Sequence, residues 1–395
     1  MLLNADRLSR LMASDDLQAV IATTAENVTY TSGFWALTQW VRRGPQTYVL
    51  WPAPGLGEPV IITGTSMLDL IADQKPWVAQ VRRYGDFVIE RDETAELDSI
   101  DQHQAELYVL PDETSPFAAL CNAIREGGFS TARIGVEELG LTPGYMAALQ
   151  DAFPAARFVP ADSVFRQCRA VKTEAEIERL RRSAMIAEQS IASALEIAKE
   201  GATERDLALA FHARTVREGG FPVLGCIGFG TRSAMTNVQP SDRPLRPGDI
   251  IRFDVGGRYA HYRSDVARIA ALGEPPAKAA AYHRALHAGV RHAYEILKPG
   301  LAARDLFEAV VGTVRKEGLP HYRRTHVGHG IGIDGYDAPD LGPSSTEIIE
   351  EGMVVCVETP YYELGAWGLQ VEDMIVIRAH GAESLMHTDG SMVIL

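Results

Sequence analysis

Acidic residues stand inside strongly apolar, strand-like runs in the C-terminal part of this chain, and this pattern restricts how the chain can fold. Asp254 follows the run 250–253, Glu358 ends the run that starts at 353, and Glu372 interrupts a third run. A carboxylate in an apolar strand is costly unless it is paired or bound to a metal ion. The fold must therefore bring these carboxylates to each other or to a cation.

The spacing of the acidic residues fits two β-hairpins. Asp265 comes eleven positions after Asp254, so a turn near residues 259–260 would make the two aspartates cross-strand neighbours. Glu358 and Glu372 are fourteen positions apart, and a turn between them would place both carboxylates on one face.

His329 lies between two glycines, which allow the backbone and the ring to approach a metal ion closely. With the four carboxylates it makes a hard, oxygen-rich set that suits divalent cations such as Mn²⁺, Co²⁺, Fe²⁺ or Zn²⁺. Two such cations about 3.5 to 4 Å apart can hold a hydroxide and polarise a carbonyl or phosphoryl oxygen. The sequence therefore predicts a two-metal hydrolytic centre.

The composition excludes several classes of partner. Lys and Arg total 38 against 52 Asp and Glu, which gives a net charge of −14. We expect neither nucleic acid nor an anionic membrane as a partner, because both are bound through basic patches. The four cysteines show no paired spacing, and no leader or long apolar segment is evident. We expect a soluble, cytoplasmic protein with reduced thiols.

Two domains are predicted. Residues 1–165 alternate helical and strand-like segments, which is typical of an α/β domain. Residues 166–395 form the second domain, which opens with a capping box at Thr173 and Glu176 and a long amphipathic helix.

The second domain contains an internal repeat. Similar segments start at Gly201 and Gly300, and each continues as a helical stretch that ends in Glu-Gly, at Gly219 and Gly318. This repeat predicts two duplicated halves with a ligand cleft between them.

The segment 33–40 is predicted to be a loop with two tryptophans, Trp35 and Trp40. One interpretation is that the loop packs on its own domain. The other is that it reaches an active site or a partner subunit.

These motifs resemble those of the pita-bread metallopeptidase superfamily, which includes prolidase, aminopeptidase P, methionine aminopeptidase and creatinase. The resemblance covers nearly the whole chain, since residues 16–34 are similar to the creatinase/prolidase N-terminal domain and residues 169–197 to the start of the family's catalytic domain. The family's metal ligands match in order: Asp254, Asp265, His329, Glu358 and Glu372. The resemblance implies an α+β fold, with a creatinase-like N-terminal α/β domain and a C-terminal pita-bread catalytic domain of duplicated α+β halves.

The resemblance also implies the chemistry. Each subunit is expected to hold two divalent metal ions, with Mn²⁺ first and Co²⁺, Zn²⁺ or Fe²⁺ as alternatives. Glu358 resembles the ligand that takes the proton of the attacking water, and we expect His326 and Tyr336 to act beside it. Family members of this type are commonly homodimers in which an N-terminal domain approaches the partner's active site, so Trp40 is expected to contact substrate there.

The chain departs from the family pattern on the substrate side. Tyr336 and Asn237 stand where peptidases of the family usually have histidines, so we expect both to contact the substrate. His326 lies three rather than four positions before the ligand histidine, and Gln370 replaces the usual arginine two positions before Glu372. Groups that contact the ligands tune metal affinity, so these changes bear on it too.

The leading hypothesis is hydrolysis of an amide bond in a small peptide, by an Xaa-Pro dipeptidase or aminopeptidase. The alternative is a metal-dependent hydrolase of a non-peptide amide or cyclic amidine, as creatinase and ectoine hydrolase illustrate, and a lyase of a small zwitterion is a further possibility. A non-catalytic binding module would typically have lost several ligands, and this chain retains the whole set.

Overall fold

The protein is described by a computed structural model that covers residues 1–41 and 47–395, and these residues form two compact units. The units are Met1–Arg169 and Ala170–Leu395. The sequence-based domain borders, 1–165 and 166–395, differ from this division by a few residues and remain a prediction. Within the described residues, no helix combines the length and the apolar character that crossing a bilayer requires.

The first unit alternates helices and strands. Its elements are α1 (Ala5–Ser14), β1 (Ala19–Ala22), α2 (Ala25–Ser32), α3 (Leu37–Val41), β2 (Tyr48–Pro52), β3 (Val60–Gly64), a 3₁₀ turn (Thr65–Met67), α4 (Leu68–Gln74), β4 (Gln80–Tyr84), α5 (Ser99–Tyr108), β5 (Asp112–Glu113), α6 (Pro116–Glu126), β6 (Arg133–Val136), α7 (Tyr145–Ala152), β7 (Arg157–Pro160) and α8 (Asp162–Ala170).

The strands of this unit form one mixed sheet in the order β5-β4-β3-β2-β1-β6-β7. Strand β1 is buried along its whole length and pairs antiparallel with β2 and parallel with β6. A four-residue run without polar side chains suits such a central position, since both faces of the strand are covered. The predicted α/β character of this part is confirmed.

The tryptophan segment differs from the prediction. Residues Leu37–Val41 form helix α3 rather than loop, because Gly33 ends α2 in a left-handed conformation and the chain then turns into a new helix. Trp40 Nε1 donates a hydrogen bond to Thr29 Oγ1 of the same unit, at 3.3 Å.

The second unit contains four long helices and the other strands of the described residues. Its elements are α9 (Glu174–Glu196), α10 (Glu204–Arg217), β8 (Phe221–Phe229), a 3₁₀ turn (Gly230–Ala234), β9 (Ile250–Tyr259), β10 (Tyr262–Arg263), β11 (Val266–Ala271), α11 (Ala277–Ile296), α12 (Ala303–Lys316), β12 (Gly328–Gly330), β13 (Asp337–Asp340), β14 (Val354–Glu358), β15 (Tyr361–Glu363), β16 (Trp367–Leu369), β17 (Glu372–Arg378), β18 (Gly381–Ser384) and β19 (Val393–Ile394).

The predicted helix at the start of this unit is confirmed. Thr173 caps α9, its side chain accepting from the backbone of Glu176 while the Glu176 side chain accepts from the backbone of Thr173. The face that buries Ile177, Leu180 and Ala184 follows the apolar spacing of the sequence.

The second unit is built from two similar halves, as the internal repeat predicts. Helices α10 and α12 both have 14 residues, and each follows a glycine with positive φ, Gly201 or Gly300. The amide of Gly201 donates to Leu245 O at 2.9 Å, and that of Gly300 donates to Ile349 O at 2.8 Å. The repeated sequence therefore specifies the same local hydrogen bonds twice.

The two halves share one sheet. Strands β8, β9 and β11 come from the first half, and β17, β14 and β12 from the second, in that spatial order. The halves meet where β11 pairs antiparallel with β17, at Ala267 opposite Glu372. We call this contact the seam.

Candidate metal centre

The four acidic residues and the histidine of the predicted centre lie on one face of the sheet. Three registers place Asp254 opposite Ala267, Ala267 opposite Glu372, and Glu372 opposite Glu358. Because directly opposed residues share a face, these four residues form a straight line across β9, β11, β17 and β14, which we call the row. Asp265 stands two positions before Ala267 and so points to the same side.

The hairpin that carries Asp254 and Asp265 turns one residue later than predicted. The residue pair Tyr259 and Tyr262 closes the turn, and Ala260 and His261 occupy it with φ of 44° and 75°. Two successive positive φ values match the twist of a hairpin, but Asn and Gly usually supply them. The two aspartates are consequently diagonal rather than directly opposed neighbours.

The hairpin that carries Glu358 and Glu372 is present as predicted. The two residues face each other in the β14–β17 register, and β15 and β16 extend the connection on either side of Gly365. Ala267, between Asp254 and Glu372 in the row, has only a methyl group. A small side chain there leaves room between the carboxylates.

His329 completes the group from the edge of the row. It lies on β12 opposite Cys356, and its Nε2 is 3.8 Å from Asp265 Oδ2. Its Nδ1 is 3.0 Å from Gly330 O, so Nδ1 donates there and Nε2 keeps its lone pair toward the carboxylates. Burial lowers the pKa of His329, which favours the neutral ring that a metal ion requires.

Glu358 faces two basic side chains, His326 and Arg324. His326 Nε2 lies 2.7 Å from Glu358 Oε1, and Arg324 is 3.9 Å from the same oxygen. Burial alone would raise the pKa of Glu358, but the His326 hydrogen bond and the Arg324 charge outweigh it and the pKa is lowered. Glu358 is therefore ionised, with an acceptor oxygen tied to His326.

The geometry and charge of the row fit divalent cations. Oxygens of Asp254, Asp265 and Glu372 lie within 4.8 Å of one another. Asp265 Oδ1 is buried and accepts no hydrogen bond from any residue that the structure describes. Burial, and then the neighbouring carboxylates, raise the pKa of Asp265 and of Glu372. Cations held between these oxygens would give Asp265 Oδ1 a partner. They would also turn the repulsion between the carboxylates into attraction to the cations.

The groups assigned to the substrate side are placed unequally. Tyr336 lies over the ligand histidine, with its ring centroid 4.1 Å from that of His329 and 68% of its surface exposed. Burial, and then the charges of the carboxylates, raise the pKa of Tyr336 to about 12, so its hydroxyl is a hydrogen-bond donor at neutral pH. Asn237 is exposed just after the 3₁₀ turn. Trp40 belongs to the first unit, and its contact with substrate stays a prediction.

Arg252 was not predicted from the sequence. This arginine stands two positions before Asp254, is completely buried, and donates to Asp254 Oδ2 at 3.0 Å. Its charge interrupts the apolar run 250–253, which is the same signal that identified the acidic ligands. Gln370, noted only as a departure from the family, donates to Glu358 and Glu372, both at 3.2 Å.

Two thiols also face the row. Cys226 is paired in register with Asp254 and Cys356 with His329. Cys356 is completely buried, and burial together with the charge of Glu372 holds the pKa of its thiol well above the usual value. Possible ligand atoms of Cys356, His329 and Glu372 lie within 4.8 Å of one another, but hard divalent cations such as Mn²⁺ prefer the carboxylate oxygens and the imidazole to a thiol.

Two family models match the chain. Metallopeptidase family M24 matches residues 178–379, and the creatinase/prolidase N-terminal domain matches residues 5–171. The first match contains all five predicted metal ligands, and the two matches together extend over both units.

Relatives and solved structures agree with these matches. The chain is 28% identical to an Xaa-Pro dipeptidase of Pyrococcus horikoshii over 273 residues, which is 67% of this chain and 77% of the relative. An X-Pro aminopeptidase of Thermotoga maritima superposes with a TM-score of 0.79 at 22% identity, over 99% of this chain and 100% of that one. An Xaa-Pro dipeptidase of Bacillus anthracis gives 0.80 at 22%, with the same coverage. At this identity the structural likeness establishes the fold alone.

Proposed function

Because the chain belongs to metallopeptidase family M24 and is a metal-dependent peptidase, we propose that it hydrolyses short Xaa-Pro peptides as a dipeptidase or an aminopeptidase. The Xaa-Pro substrate is supported by the names of the relatives and structural neighbours, two of them dipeptidases and one an aminopeptidase. The same names do not favour the alternative, hydrolysis of a non-peptide amide or cyclic amidine.

The observation that carries the proposal is the row of acidic residues in register across the seam. Asp254, Glu372 and Glu358 share one face, and Asp265 and His329 border it. M24 peptidases use two metal ions, and these residues would hold both of them. We propose Mn²⁺ as the cellular metal, with Co²⁺, Zn²⁺ or Fe²⁺ as alternatives, since hard oxygen ligands discriminate weakly among them.

Bound in the row, two divalent cations supply the positive charge that polarises an amide carbonyl and lowers the pKa of water. Glu358 is the proton acceptor in this proposal, because it is ionised and only 8% exposed. His326 lies at hydrogen-bonding distance on the open side, with 40% of its side chain exposed. A proton taken up by the Glu358 carboxylate can pass directly to the leaving amine, while the hydrogen bond from His326 Nε2 to Oε1 holds the carboxylate in place.

Tyr336, Asn237 and Trp40 are proposed substrate contacts. The Tyr336 hydroxyl extends into solvent beside His329, where it donates a hydrogen bond to a peptide carbonyl. Asn237 offers an amide that binds but does not titrate. Trp40 is proposed to approach the active site of a second subunit, which makes the homodimer part of this proposal. A cytoplasmic location is proposed as well, on the basis of cysteines without paired spacing.

The test is a peptide panel with a matched inactive variant. Chelator-stripped protein is reloaded with Mn²⁺ and given Xaa-Pro dipeptides, Xaa-Pro-Xaa tripeptides, the same peptides without proline, and N-acetylated versions. Glu372→Gln keeps the size of the side chain while removing its charge, and circular dichroism checks that this variant is folded. We expect metal-dependent release of the N-terminal residue from proline peptides and none by Glu372→Gln.

The pattern of cleavage separates the possibilities. Activity on dipeptides alone identifies a dipeptidase, and activity on tripeptides identifies an aminopeptidase. If the folded, metal-loaded protein leaves the whole panel intact but hydrolyses small non-peptide amides, the Xaa-Pro assignment is wrong.

A further inference from the structure

Arg252 is a completely buried arginine whose guanidinium is saturated with hydrogen bonds. Its Nε donates to Ser233 O at 2.9 Å, and one terminal nitrogen donates to Met235 O at 2.7 Å and Thr236 O at 2.9 Å. The other terminal nitrogen donates to Asp254 Oδ2 and to Gln370 Oε1, both at 3.0 Å. A buried charge is costly unless it keeps its hydrogen-bond and ion-pair partners, so removal of these partners would destabilise the protein.

The contacts on one side of Arg252 reach most of the metal ligands. Asp254 is bonded directly, and Gln370 passes the contact on, because its amide nitrogen donates to Glu358 Oε2 and Glu372 Oε2. One guanidinium thus connects three of the four ligand carboxylates through one or two hydrogen bonds. Its positive charge lowers the repulsion within the row, and it opposes the rise that burial causes in the pKa of Asp254.

The contacts on the other side reach the segment before Asn237. The carbonyls of Ser233, Met235 and Thr236 all accept from Arg252, which fixes the backbone of residues 233–236 against the sheet. The Ser233 hydroxyl in turn accepts from the amide of Gly368, in the strand that leads to Gln370. The position of the chain at Asn237 therefore depends on the same guanidinium as the ligands.

We infer that Arg252 is a positioning residue with two separable roles, setting metal affinity through Asp254 and Gln370 and placing the segment 233–237 for substrate. Only the second role rests on the proposed function. The first is measured on metal binding without any substrate.

The geometry suggests a direct test of the first role. Because Arg252 and Gln370 touch each other, an arginine at 370 can enter the space that a shorter residue at 252 leaves. We therefore compare Arg252→Met, Arg252→Lys and the double variant Arg252→Met with Gln370→Arg. Arg258→Met is the matched control, since Arg258 lies on the same strand and stacks on Phe221 rather than on the row.

Mn²⁺ affinity is measured by titration calorimetry on chelator-stripped protein, with circular dichroism as the check of folding. We expect Arg252→Met to bind Mn²⁺ roughly 10- to 100-fold more weakly, which is the usual effect of losing a group that orients a ligand. Arg252→Lys should lie between this variant and the native protein, the double variant should regain most of the loss, and Arg258→Met should stay within about twofold, since it leaves every ligand contact in place.

The second role is read from peptide kinetics. Arginine at 370 restores the charge but not the bonds to Met235 and Thr236, so the double variant should recover metal affinity while its KM stays raised. Native affinity in Arg252→Met overturns the inference, as does a folded double variant that recovers nothing. If Arg252→Met is unfolded, Arg252→Lys and the double variant decide. A native protein that hydrolyses no peptide refutes the proposed function and leaves the affinity result unchanged.

Discussion

His283 gives a sharp test of how the second unit responds to pH. It lies on α11, is 3% exposed, and its Nε2 has no hydrogen-bond partner in the part of the chain that the structure describes. Burial, and then the charges of His287, Arg268 and Arg284, lower the pKa of His283 to about 4, although Asp389 opposes them. The unfolded chain restores an ordinary histidine with a pKa near 6.5.

The direction in which stability changes with pH follows from the lower pKa of His283 in the folded state. Above pH 6.5 the ring is neutral in both states and costs nothing. Between pH 6.5 and 4 only the unfolded chain takes up the proton, so stability falls as the pH falls through this window. The difference of about 2.5 pKa units corresponds to roughly 3 kcal/mol lost between pH 7 and pH 4.

The substitution His283→Leu removes this proton site and keeps an apolar side chain in the same space. Urea unfolding is followed at several pH values from 7 to 4, and the free energy of unfolding is compared between variant and native protein at each. Both proteins carry the same metal ligands, so the acid titration of that centre cancels in the difference. We expect the difference to move by about 3 kcal/mol in favour of His283→Leu as the pH falls.

His292→Gln is the matched control, because His292 lies on the same helix but is half-exposed. The difference in the free energy of unfolding between His292→Gln and the native protein should stay constant from pH 7 to pH 4. If the His283→Leu difference is independent of pH, the burial argument for His283 is refuted.

Two further predictions concern the row itself. Ala267→Leu should abolish Mn²⁺ binding in titration calorimetry while costing only about 1 to 3 kcal/mol of stability, because the larger side chain fills the space between Asp254 and Glu372; unchanged Mn²⁺ affinity would show that the cations lie elsewhere. Tyr336→Phe keeps the ring over His329 and removes only the hydroxyl, so we expect native metal affinity and a kcat/KM for proline peptides lowered by roughly 2- to 10-fold. A loss of metal affinity in Tyr336→Phe would mean that the phenol supports the metal centre rather than the substrate.

The acidic residues of the predicted centre could be singled out from the sequence because each interrupts the apolar character of its own segment. The repeat at Gly201 and Gly300 was predictable for a similar reason, since it is written in local sequence. Arg252 violates its strand in the same way, yet it was overlooked because its partners at 233–236 and 370 are remote in sequence. A single strand does not reveal which side chains will oppose its charge.

The register between strands that are distant in the chain could not be predicted from local sequence either. Ala267 on β11 pairs with Glu372 on β17, and helices α11 and α12 lie between these strands in the chain. No short turn joins the two strands, so no turn fixes their register. The turn at Ala260 and His261 was misplaced by one residue because neither residue type signals positive φ. Helix α3 was taken as loop because its five residues are too few to show a periodic pattern.

The seam has a consequence for the integrity of the second unit. In the described residues β11 and β17 are joined in register at Ala267 and Glu372 alone, and β19 of the second half adds two pairs with β11. Arg268 also donates across the junction to Glu372 O at 2.8 Å. The predicted ligands come from both sides of this junction, Asp254 and Asp265 from one half and the remaining three from the other. Cations bound by this set would add directly to the association free energy of the halves. They would act as a reversible cross-link, whose strength follows the concentration of free metal.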